Sequence, residues 1–343
     1  TRYTAWQPCV SRLATQLCAP GVSLLMGCGV ALLLESRIEQ GWSDSEARRF
    51  LCKRGLLLLL LNQLIENRAW TLGFRYSEAA PPAIPDGPWP GPSGPMVLVF
   101  SVLSGLGMAL ILSSLLLRLR TRYLAIVATL VIVASAILTP GPAHLRDSYG
   151  LALRLLFLPG HSGTGFVLYP IIPWSGVALW GIVLGRQLHA HAAPVLRKLP
   201  WLGLAMVLSA LTLRAVGGPG NLRLPRDSSV IEFFNLIKYP PSLVFLLLFV
   251  GTNLLLLSLW NRIADKLPRV SQILSTFGQV PLFYYLLHLF LFCGIGSLFF
   301  RKGASLPVTY LVWLLGLIPL YFACRAYQRF KSQTPVDSLW RFF

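Results

Sequence analysis

Two apolar stretches of this chain each contain a side chain that could move protons. Glu66 lies in GLLLLLLNQLIENRAW, four residues after Asn62, and Gln63 and Asn67 repeat that spacing. An α-helix would place all four side chains on one face. A carboxylate inside a bilayer costs several kcal/mol unless it is paired or hydrated. The pattern indicates either a buried hydrogen-bond network, in which Glu66 pairs with Arg68 or with a cation of another helix, or a functional site.

The second such side chain is His288, in VPLFYYLLHLFLF, with Tyr284 and Tyr285 about one helical turn before it. A histidine inside a membrane helix can be a neutral packing residue. It can also be a general base or a hydrogen-bond donor in a polar cavity. The residues alone leave both interpretations open.

Two proline-containing segments combine aromatic side chains with a lysine. Tyr169 and Trp174 flank the run PIIP, and Lys238 and Tyr239 precede two further prolines. Proline is tolerated in the first turn of a helix, and Tyr and Trp favour the membrane interface, so each segment predicts the start of an anchored helix. Lys238 either extends its ammonium group to the interface or holds an anionic or hydroxylated substrate.

Membrane-spanning helices must position these residues. The chain of 343 residues is 55% hydrophobic, has a mean hydropathy of +0.64 and is only 12% charged, whereas about 25% is typical of globular proteins. We predict an all-α, polytopic membrane helical bundle that forms a single domain over residues 1–343. About 20 apolar residues span a bilayer, and nine stretches qualify: Leu17–Leu34, Gly55–Phe74, Met96–Leu117, Tyr123–Thr139, Phe166–Arg186, Leu199–Gly217, Pro241–Trp260, Val280–Phe300 and Pro307–Tyr327.

Charge and loop composition suggest the orientation and exclude several function classes. The net charge of +18 is scattered over many short loops, which favours an anionic membrane surface over a nucleic-acid partner. A modest majority of the Lys and Arg residues falls on one predicted side, so we place the C-terminus in the cytoplasm. The histidine and cysteine spacings predict no metal site. No Walker loop, GxSxG elbow or GxGxxG motif is present.

The long loops fall on the predicted outer side of the membrane. They are Arg75–Pro95, which is rich in proline and glycine, Gly141–Gly165 and Gly217–Pro240. The second contains a short apolar segment, Leu151–Leu158, that could lie in the interface, and a glycine-rich stretch in which His161 is expected to be solvated. Proline and glycine at this density exclude a continuous helix over the first loop.

Several motifs occur in an order that resembles a known family. They are LCAPG at 17–21, ENRAW at 66–70, YPIIPW at 169–174, KYPPS at 238–242 and VPLFYYLLH at 280–288. From about Arg12 to the C-terminus, the chain resembles the bacterial membrane proteins called DUF1624. These are similar to the catalytic domain of heparan-alpha-glucosaminide N-acetyltransferase.

The resemblance implies a multi-pass acyltransferase of the bacterial inner (plasma) membrane. Its co-substrate would be acetyl-CoA or another acyl-CoA from the cytosol, with no metal, and its acceptor a sugar or glycan on the outer side. His288 or Glu66 would assist proton removal. The expected substrate-binding residues are Asn67, Lys238, Tyr239, Tyr169, Trp174 and Gln63. Arg118, Arg120 and Arg122 would attract the CoA phosphates.

The chain departs from the family pattern at its N-terminus. Family members usually begin with another crossing that bears an Arg-Gly pair and then an Asp-His pair, and that histidine is the leading catalytic candidate. The first 20 residues of this chain contain no histidine, and Gln16 stands where many relatives have His. We therefore expect either that an N-terminal helix is missing from this chain or that the protein is not catalytic as given.

Other function classes remain open from the sequence. The same intramembrane polar residues could line the path of a transporter or flippase for a glycan, a lipid or a small solute, although no inverted repeat is visible. A non-catalytic family member is the third reading, and a homo-oligomer is compatible with each. Binding or hydrolysis of acyl-CoA would distinguish the acyltransferase from the other two.

Overall fold

The protein is helical throughout most of the described chain. The computed structural model describes residues 6–75, 98–141, 144, 149–162, 165–335 and 338–342. The predicted loop Arg75–Pro95 lies outside these residues apart from Arg75. The helices are α1 (Trp6–Gln16), α2 (Cys18–Glu39), α3 (Asp44–Leu61), α4 (Asn67–Arg75), α5 (Val102–Leu116), α6 (Thr121–Leu138), α7 (Leu151–Leu156), α8 (Ile171–Val216), α9 (Val230–Phe233), α10 (Leu243–Ile263), α11 (Pro268–Gln279), α12 (Pro281–Phe299) and α13 (Leu306–Gln333).

The membrane class is confirmed by the length and composition of these helices. Within the described residues, six stretches are long and apolar enough to cross a membrane: Trp6–Glu39, Thr121–Leu138, Ile171–Val216, Leu243–Lys266, Pro281–Phe299 and Leu306–Gln333. The apolar helix α5 is shorter. The count of nine stays a prediction, because it also requires α5, the interrupted stretch from α3 to α4, and two separate crossings within α8.

The described residues fall into two compact units. The first unit takes residues 6–62 and 98–259 within the described ranges, and the second takes 63–75 and 260–342. The chain passes from the first unit to the second inside a π-helical turn, Asn62–Glu66, that joins α3 to α4. The single domain expected over residues 1–343 stays a prediction.

Close helix packing in the first unit depends on glycine. A Cβ at Gly27 of α2 would lie 2.0 Å from the carbonyl oxygen of Ala178 in α8. A Cβ at Gly181 would lie 2.1 Å from the carbonyl oxygen of Leu24. Because both distances are far below van der Waals contact, only glycine lets these two helix backbones approach so closely. This contact fixes the part of α8 that follows Tyr169 and Trp174.

A small sheet, which the all-α prediction missed, precedes α5 and α8. Its strands are β1 (Leu98–Phe100), β2 (Gly160–Ser162) and β3 (Gly165–Val167), in the order β1-β3-β2. β3 pairs in parallel with β1 and antiparallel with β2. The third predicted crossing therefore contains a strand before its helix, because a short apolar run does not distinguish a strand from a helix.

The same sheet corrects the expectation for His161. This residue lies in β2, partly buried, with its ring centroid 4.6 Å from that of Phe166, and not in a solvated loop. The predicted short apolar segment is present nearby as α7.

Helix α8 corrects the boundary between the fifth and sixth predicted crossings. It runs for 46 residues and is interrupted only at His191, where φ is −147° and ψ is 58°. We call this point the elbow, residues 171–190 the first arm and residues 192–216 the second arm. The polar stretch between Arg186 and Leu199 was expected to be a loop. It is mostly helical because Leu, Gln, Ala, Arg and Lys are good helix formers.

In the second unit, α4 packs against α12, and α12 packs against α13. The Ser297 hydroxyl of α12 donates to the carbonyl oxygen of Leu72 at 3.1 Å, and the rings of Phe283 and Tyr327 stack with centroids 4.2 Å apart. These contacts hold α12, which carries His288, between α4 and α13.

Candidate functional site

Asn62, the first residue of the π turn, has a fully satisfied structural role. Its Oδ1 accepts from the backbone N–H and the hydroxyl of both Ser101 and Ser104, at 2.7 to 3.1 Å. Its Nδ2 donates to the carbonyl oxygen of Val99 at 2.6 Å. The side chain is fully buried. Asn62 therefore ties the end of α3 to β1 and to the start of α5.

Glu66, the last residue of the π turn, is also fully buried but has a different kind of partner. The Tyr285 hydroxyl of α12 donates to its Oε1 at 2.5 Å. A pairing of Glu66 with Arg68, which is exposed, or with a cation of another helix stays a prediction. Asn62 and Glu66 were expected to share one face, but Asn62 bonds within the first unit and Glu66 within the second. The i to i+5 hydrogen bonding of a π turn shifts the register on which the i,i+4 spacing depends.

Gln63 and Asn67 do form the pair that their spacing predicts. Asn67 Nδ2 donates to Gln63 Oε1 at 2.7 Å, and Asn67 is buried. The hydroxyl of Thr71 donates to the carbonyl oxygen of Asn67 at 2.7 Å. Gln63 precedes Glu66 in the chain, and Asn67 follows it directly.

His288 lies one turn after Tyr285 on α12 and is partly buried. Its Nδ1 is 2.5 Å from the carbonyl oxygen of Tyr285 and 3.2 Å from that of Tyr284. Carbonyl oxygens only accept, so this geometry assigns the proton to Nδ1 and leaves the lone pair on Nε2. The ring stacks on Tyr284, with centroids 5.2 Å apart and planes 4° apart.

We call Glu66, Tyr285 and His288 the Glu66 group. None of the residues that the structure describes forms a hydrogen bond with His288 Nε2. An imidazole oriented through Nδ1, with Nε2 available as an acceptor, is suited to general-base chemistry. The buried carboxyl group and the phenol add two further groups that can exchange protons.

In the first unit, four predicted substrate-binding residues come together as the Tyr169 cluster: Tyr169, Trp174, Lys238 and Tyr239. The Tyr239 hydroxyl donates to the Tyr169 hydroxyl at 3.2 Å. The Tyr169 ring centroid lies 5.0 Å from that of Trp174 and 5.4 Å from that of Tyr239. Lys238 Nζ is 5.0 Å from the Tyr239 ring centroid.

Two buried polar atoms, one in this cluster and one next to it in sequence, lack a hydrogen-bond partner in the part of the chain that the structure describes. They are Trp174 Nε1 and Ser175 Oγ, on side chains of residues only 1% and 3% exposed. Leaving a buried polar group unsatisfied costs about 1–3 kcal/mol, so such a group calls for a partner such as water or a ligand. Aromatic faces, hydroxyl groups and a cation together suit a polyhydroxylated molecule.

The sequence did not indicate the polar network that holds the loop before Lys238. We define the loop network as Arg12, Arg214, Arg223, Glu232 and Asn235. Arg223 pairs with Glu232 at 2.9 Å, and Asn235 Nδ2 donates to Glu232 Oε1 at 2.6 Å. Arg12 donates to Asn235 Oδ1 at 2.5 Å.

Arg214 of the loop network donates four hydrogen bonds. They go to the carbonyl oxygens of Phe233, Glu232 and Arg223 and to Asn221 Oδ1. An arginine near the end of the sixth predicted crossing was the available signal for this cluster, since an ionisable residue in such a segment requires partners.

Glu232 is held in its charged form. Burial is the largest single influence and raises the pKa, but hydrogen bonds from Asn235, Arg223 and the backbone N–H of Arg226 outweigh it. The pKa of Glu232 is therefore below its usual value. The carboxylate is an acceptor that fixes the loop and not a proton donor at neutral pH.

Arg118, Arg120 and Arg122 are exposed around the turn between α5 and α6. Arg118 pairs with Asp44 at 3.2 Å, and Arg122 donates to the Tyr123 hydroxyl at 2.9 Å. Both contacts are exposed and contribute little to the stability of the fold, so these side chains can rearrange around a ligand.

The turn that carries these arginines is fixed by a residue of α8. Arg186 donates to the carbonyl oxygens of Leu117 and Leu119 and pairs with Glu35 at 3.1 Å. Ile171, at the start of the first arm, is near the Tyr169 cluster. The Arg186 contact lies about 22 Å from Ile171 along the arm. The predicted cofactor-binding and substrate-binding residues of the first unit thus lie toward opposite ends of that arm.

Within the described residues, no group of three or more His, Cys, Asp or Glu side chains is placed to hold a metal ion. The predicted site residues are divided between the units: the Tyr169 cluster and the three arginines lie in the first, and Glu66, Gln63, Asn67 and His288 in the second.

Residues 14–216 match the family model described as heparan-alpha-glucosaminide N-acetyltransferase, catalytic. This match contains Glu66, Tyr169 and Trp174, whereas Lys238, Tyr239 and His288 follow it. A comparison with curated proteins gave no match.

Proposed function

Because this chain belongs to the family of the heparan-alpha-glucosaminide N-acetyltransferase catalytic domain, we propose that it is a membrane acyltransferase that uses acyl-CoA. It moves an acetyl or other acyl group from cytosolic acyl-CoA to a sugar or glycan on the outer side of the membrane. The match of residues 14–216 is the observation that carries this proposal.

Acyl transfer from a thioester needs a base and a held acceptor. The acceptor amine or hydroxyl attacks the thioester carbonyl carbon and loses a proton, the C–S bond breaks, and CoA leaves as its thiol. We assign proton removal to the Glu66 group. His288 Nε2 takes the proton from the acceptor and then gives it to the departing CoA sulfur. Tyr285 and Glu66 supply a hydroxyl group and a carboxyl group on the same unit.

We assign acceptor binding to the Tyr169 cluster. Sugar rings present apolar C–H faces and polar hydroxyl groups, which match the Tyr169, Trp174 and Tyr239 rings and the Lys238 ammonium group. The buried and unpartnered Trp174 Nε1 supports this assignment, because a hydroxyl group could satisfy it. Gln63 and Asn67 supply further amide groups in the second unit.

We assign the diphosphate and phosphate groups of CoA to Arg118, Arg120 and Arg122. Arginine binds phosphate oxygens well because its guanidinium group donates in a planar fork. In the proposed topology, nine helices cross the inner membrane, these arginines face the cytoplasm and so does the C-terminus. The contact of Arg186 with this turn supports a shared side of the membrane for the turn after α5 and the elbow of α8.

The test is acyl transfer by the purified full chain in proteoliposomes. Radiolabelled acetyl-CoA would be supplied on one side and a panel of amino sugars and glycans on the other. We expect labelled acceptor to form together with an equal amount of free CoA thiol. A thioether analogue of acetyl-CoA, which cannot transfer its acyl group, should inhibit the reaction.

A different result would identify the other function classes. Glycan or lipid movement across the liposome without acyl-CoA consumption would replace the proposal with a transporter. Folded protein that neither binds nor cleaves acyl-CoA would make it a non-catalytic family member. Static light scattering on the same sample would determine whether the protein is a homo-oligomer.

A further inference from the structure

An apolar cavity of about 440 Å³ lies beside the elbow of α8, wholly within the first unit. Residues of α2, α6, α10 and both arms of α8 line it. Its volume falls in the range of about 300–1,000 Å³ that is usual for ligand sites. None of the residues assigned above to catalysis or substrate binding lines it, so the cavity needs its own explanation.

The cavity has the shape and chemistry of a site for a hydrocarbon chain. Its walls are almost entirely aliphatic and include Val177, Met206, Leu246 and Val250. Along α10 the lining residues run from Leu243 to Leu254, about 16 Å of helix. That is roughly half of a hydrocarbon core of about 30 Å. Apolar cavities do not hold water stably but accept apolar guests.

The rim of the cavity includes exposed side chains. Val133 of α6 is 39% exposed and Leu202 of the second arm is 51% exposed, and both line the cavity. In a chain that crosses the membrane, exposed aliphatic residues in spanning helices contact lipid tails. A lipid chain could therefore enter the cavity sideways from the bilayer.

Polar lining residues lie close to the elbow. Gln187 of the first arm and Lys198 of the second arm both line the cavity, four and seven residues from His191. In the part of the chain that the structure describes, Lys198 forms no ion pair or hydrogen bond. Arg197 adds a second exposed cation beside it. Basic pockets between membrane helices bind anionic lipid head groups.

We propose that this cavity binds an anionic phospholipid. One acyl chain lies between the two arms of α8, α6 and α10, and the phosphate group lies at Lys198 with Gln187 as a hydrogen-bond donor. The interrupted helix creates the site, because the two arms supply opposite walls and the elbow carries the charge. The lipid fills a cavity that the side chains leave open and holds the angle between the arms.

Lipid retention tests the proposal on the purified full chain. The protein would be exchanged into detergent with equal phosphatidylglycerol and phosphatidylcholine, and the retained lipid would be extracted and measured by mass spectrometry. We expect phosphatidylglycerol to be preferred. Lys198→Gln should reduce that preference about fivefold, the equivalent of about 1 kcal/mol for one basic residue at an anionic surface. Lys53→Gln, at an exposed lysine that does not line the cavity, is the matched control.

A cavity-filling variant tests the acyl-chain site separately. Val250→Phe should lower retention of both lipids, whereas Val216→Phe, at an exposed valine that does not line the cavity, should not. Both variants must elute as monodisperse peaks in size-exclusion chromatography.

A fluorescence measurement provides a second readout that does not depend on retention. Trp180 lines the cavity, so phosphatidylglycerol with brominated chains should quench it at low lipid-to-protein ratios. Trp180→Phe should remove the saturable part of that quenching.

Three results would overturn the proposal. One is equal retention by Val250→Phe and the parent protein, and another is the absence of saturable Trp180 quenching. The third is displacement of phospholipid by a long-chain acyl-CoA that depends on Lys198, which would assign the cavity to the acyl donor.

Discussion

The loop network and the Glu66 group are both buried clusters of ionisable side chains, but they differ in how their hydrogen bonds are satisfied. In the loop network, the Glu232 carboxylate accepts from three residues, and Arg214 donates four hydrogen bonds. In the Glu66 group, His288 is oriented through Nδ1 while Nε2 has no hydrogen bond within the described residues.

This difference distinguishes a cluster that stabilises the fold from a cluster that can take part in a reaction. A buried network in which the groups are satisfied makes one loop conformation rigid, and it leaves no atom to act on another molecule. An oriented imidazole with an open lone pair has such an atom. We therefore expect substitutions in the loop network to affect stability and substitutions in the Glu66 group to affect turnover.

The largest expected effect is on turnover, at His288. In His288→Asn, the side-chain amide can still donate to the Tyr285 carbonyl oxygen, but the lone pair at Nε2 is lost. We expect kcat for acyl transfer to fall about 10²–10⁴-fold, the usual contribution of a general base, with little change in Tm. The control is His189→Asn, at a histidine whose Nε2 contacts the Glu39 carboxylate. Unchanged kcat in His288→Asn would remove His288 from the mechanism.

The loop network should show the opposite behaviour. Glu232→Ala leaves the Arg223 guanidinium, whose side chain is only 19% exposed, without its partner. Breaking a buried pair in this way costs about 3–5 kcal/mol, so we expect a lower denaturation midpoint and nearly normal kcat in the protein that remains folded. Asp265→Ala, at an exposed carboxylate, should change stability by less than about 0.5 kcal/mol. An unchanged midpoint in Glu232→Ala would contradict the structural role of the network.

A smaller effect is expected for the Tyr169 cluster. Tyr239→Phe removes the hydroxyl donor to Tyr169 and keeps the ring. Because one hydrogen bond contributes about 0.5–1.5 kcal/mol, the KM for the acceptor should rise about two- to tenfold, with kcat nearly unchanged. Steady-state kinetics with varied acceptor would measure this. If kcat fell and KM did not change, the cluster would act in the chemical step and not in binding.

The smallest expected effect concerns pH. The pKa of Glu232 is lower in the folded protein than in the unfolded chain. Its contribution to stability is therefore complete above the unfolded pKa of about 4.3 and is lost as the pH falls through the folded pKa. The parent protein should lose stability more steeply than Glu232→Gln over this acidic range. Parallel curves of Tm against pH for the two proteins would show that Glu232 is not the group responsible.

Much of the helical architecture could be predicted from the sequence, because long apolar stretches have few alternatives in a bilayer. Four of the six residues predicted to bind substrate, Tyr169, Trp174, Lys238 and Tyr239, lie together in the structure. Their role in substrate binding stays a prediction. The strands were missed because three residues are too few to show a period. The sequence does not predict the elbow, because a polar stretch between two apolar stretches is also typical of a loop.

The loop network and the Tyr285 partner of Glu66 required the tertiary structure. Arg12 and Asn235 are 223 residues apart, and Tyr285 and Glu66 are 219 apart. Side-chain spacing reveals neighbours on one helix but carries no information about pairs at such separations. The sequence could show that Glu66 needed a partner, but not which residue supplied it.

The π turn at Asn62–Glu66 gives the chain one point at which it should tolerate the loss of a residue. An i to i+5 turn accommodates one residue more than an α-helix would over nearly the same rise, so deleting Leu64, which is 64% exposed, should allow a continuous α-helix to form. Because the deleted residue is the extra one, the residues before and after it should keep their helical register. The same deletion inside α3, which has no extra residue, would rotate every later residue by about 100° relative to the residues before it, since an α-helix has 3.6 residues per turn.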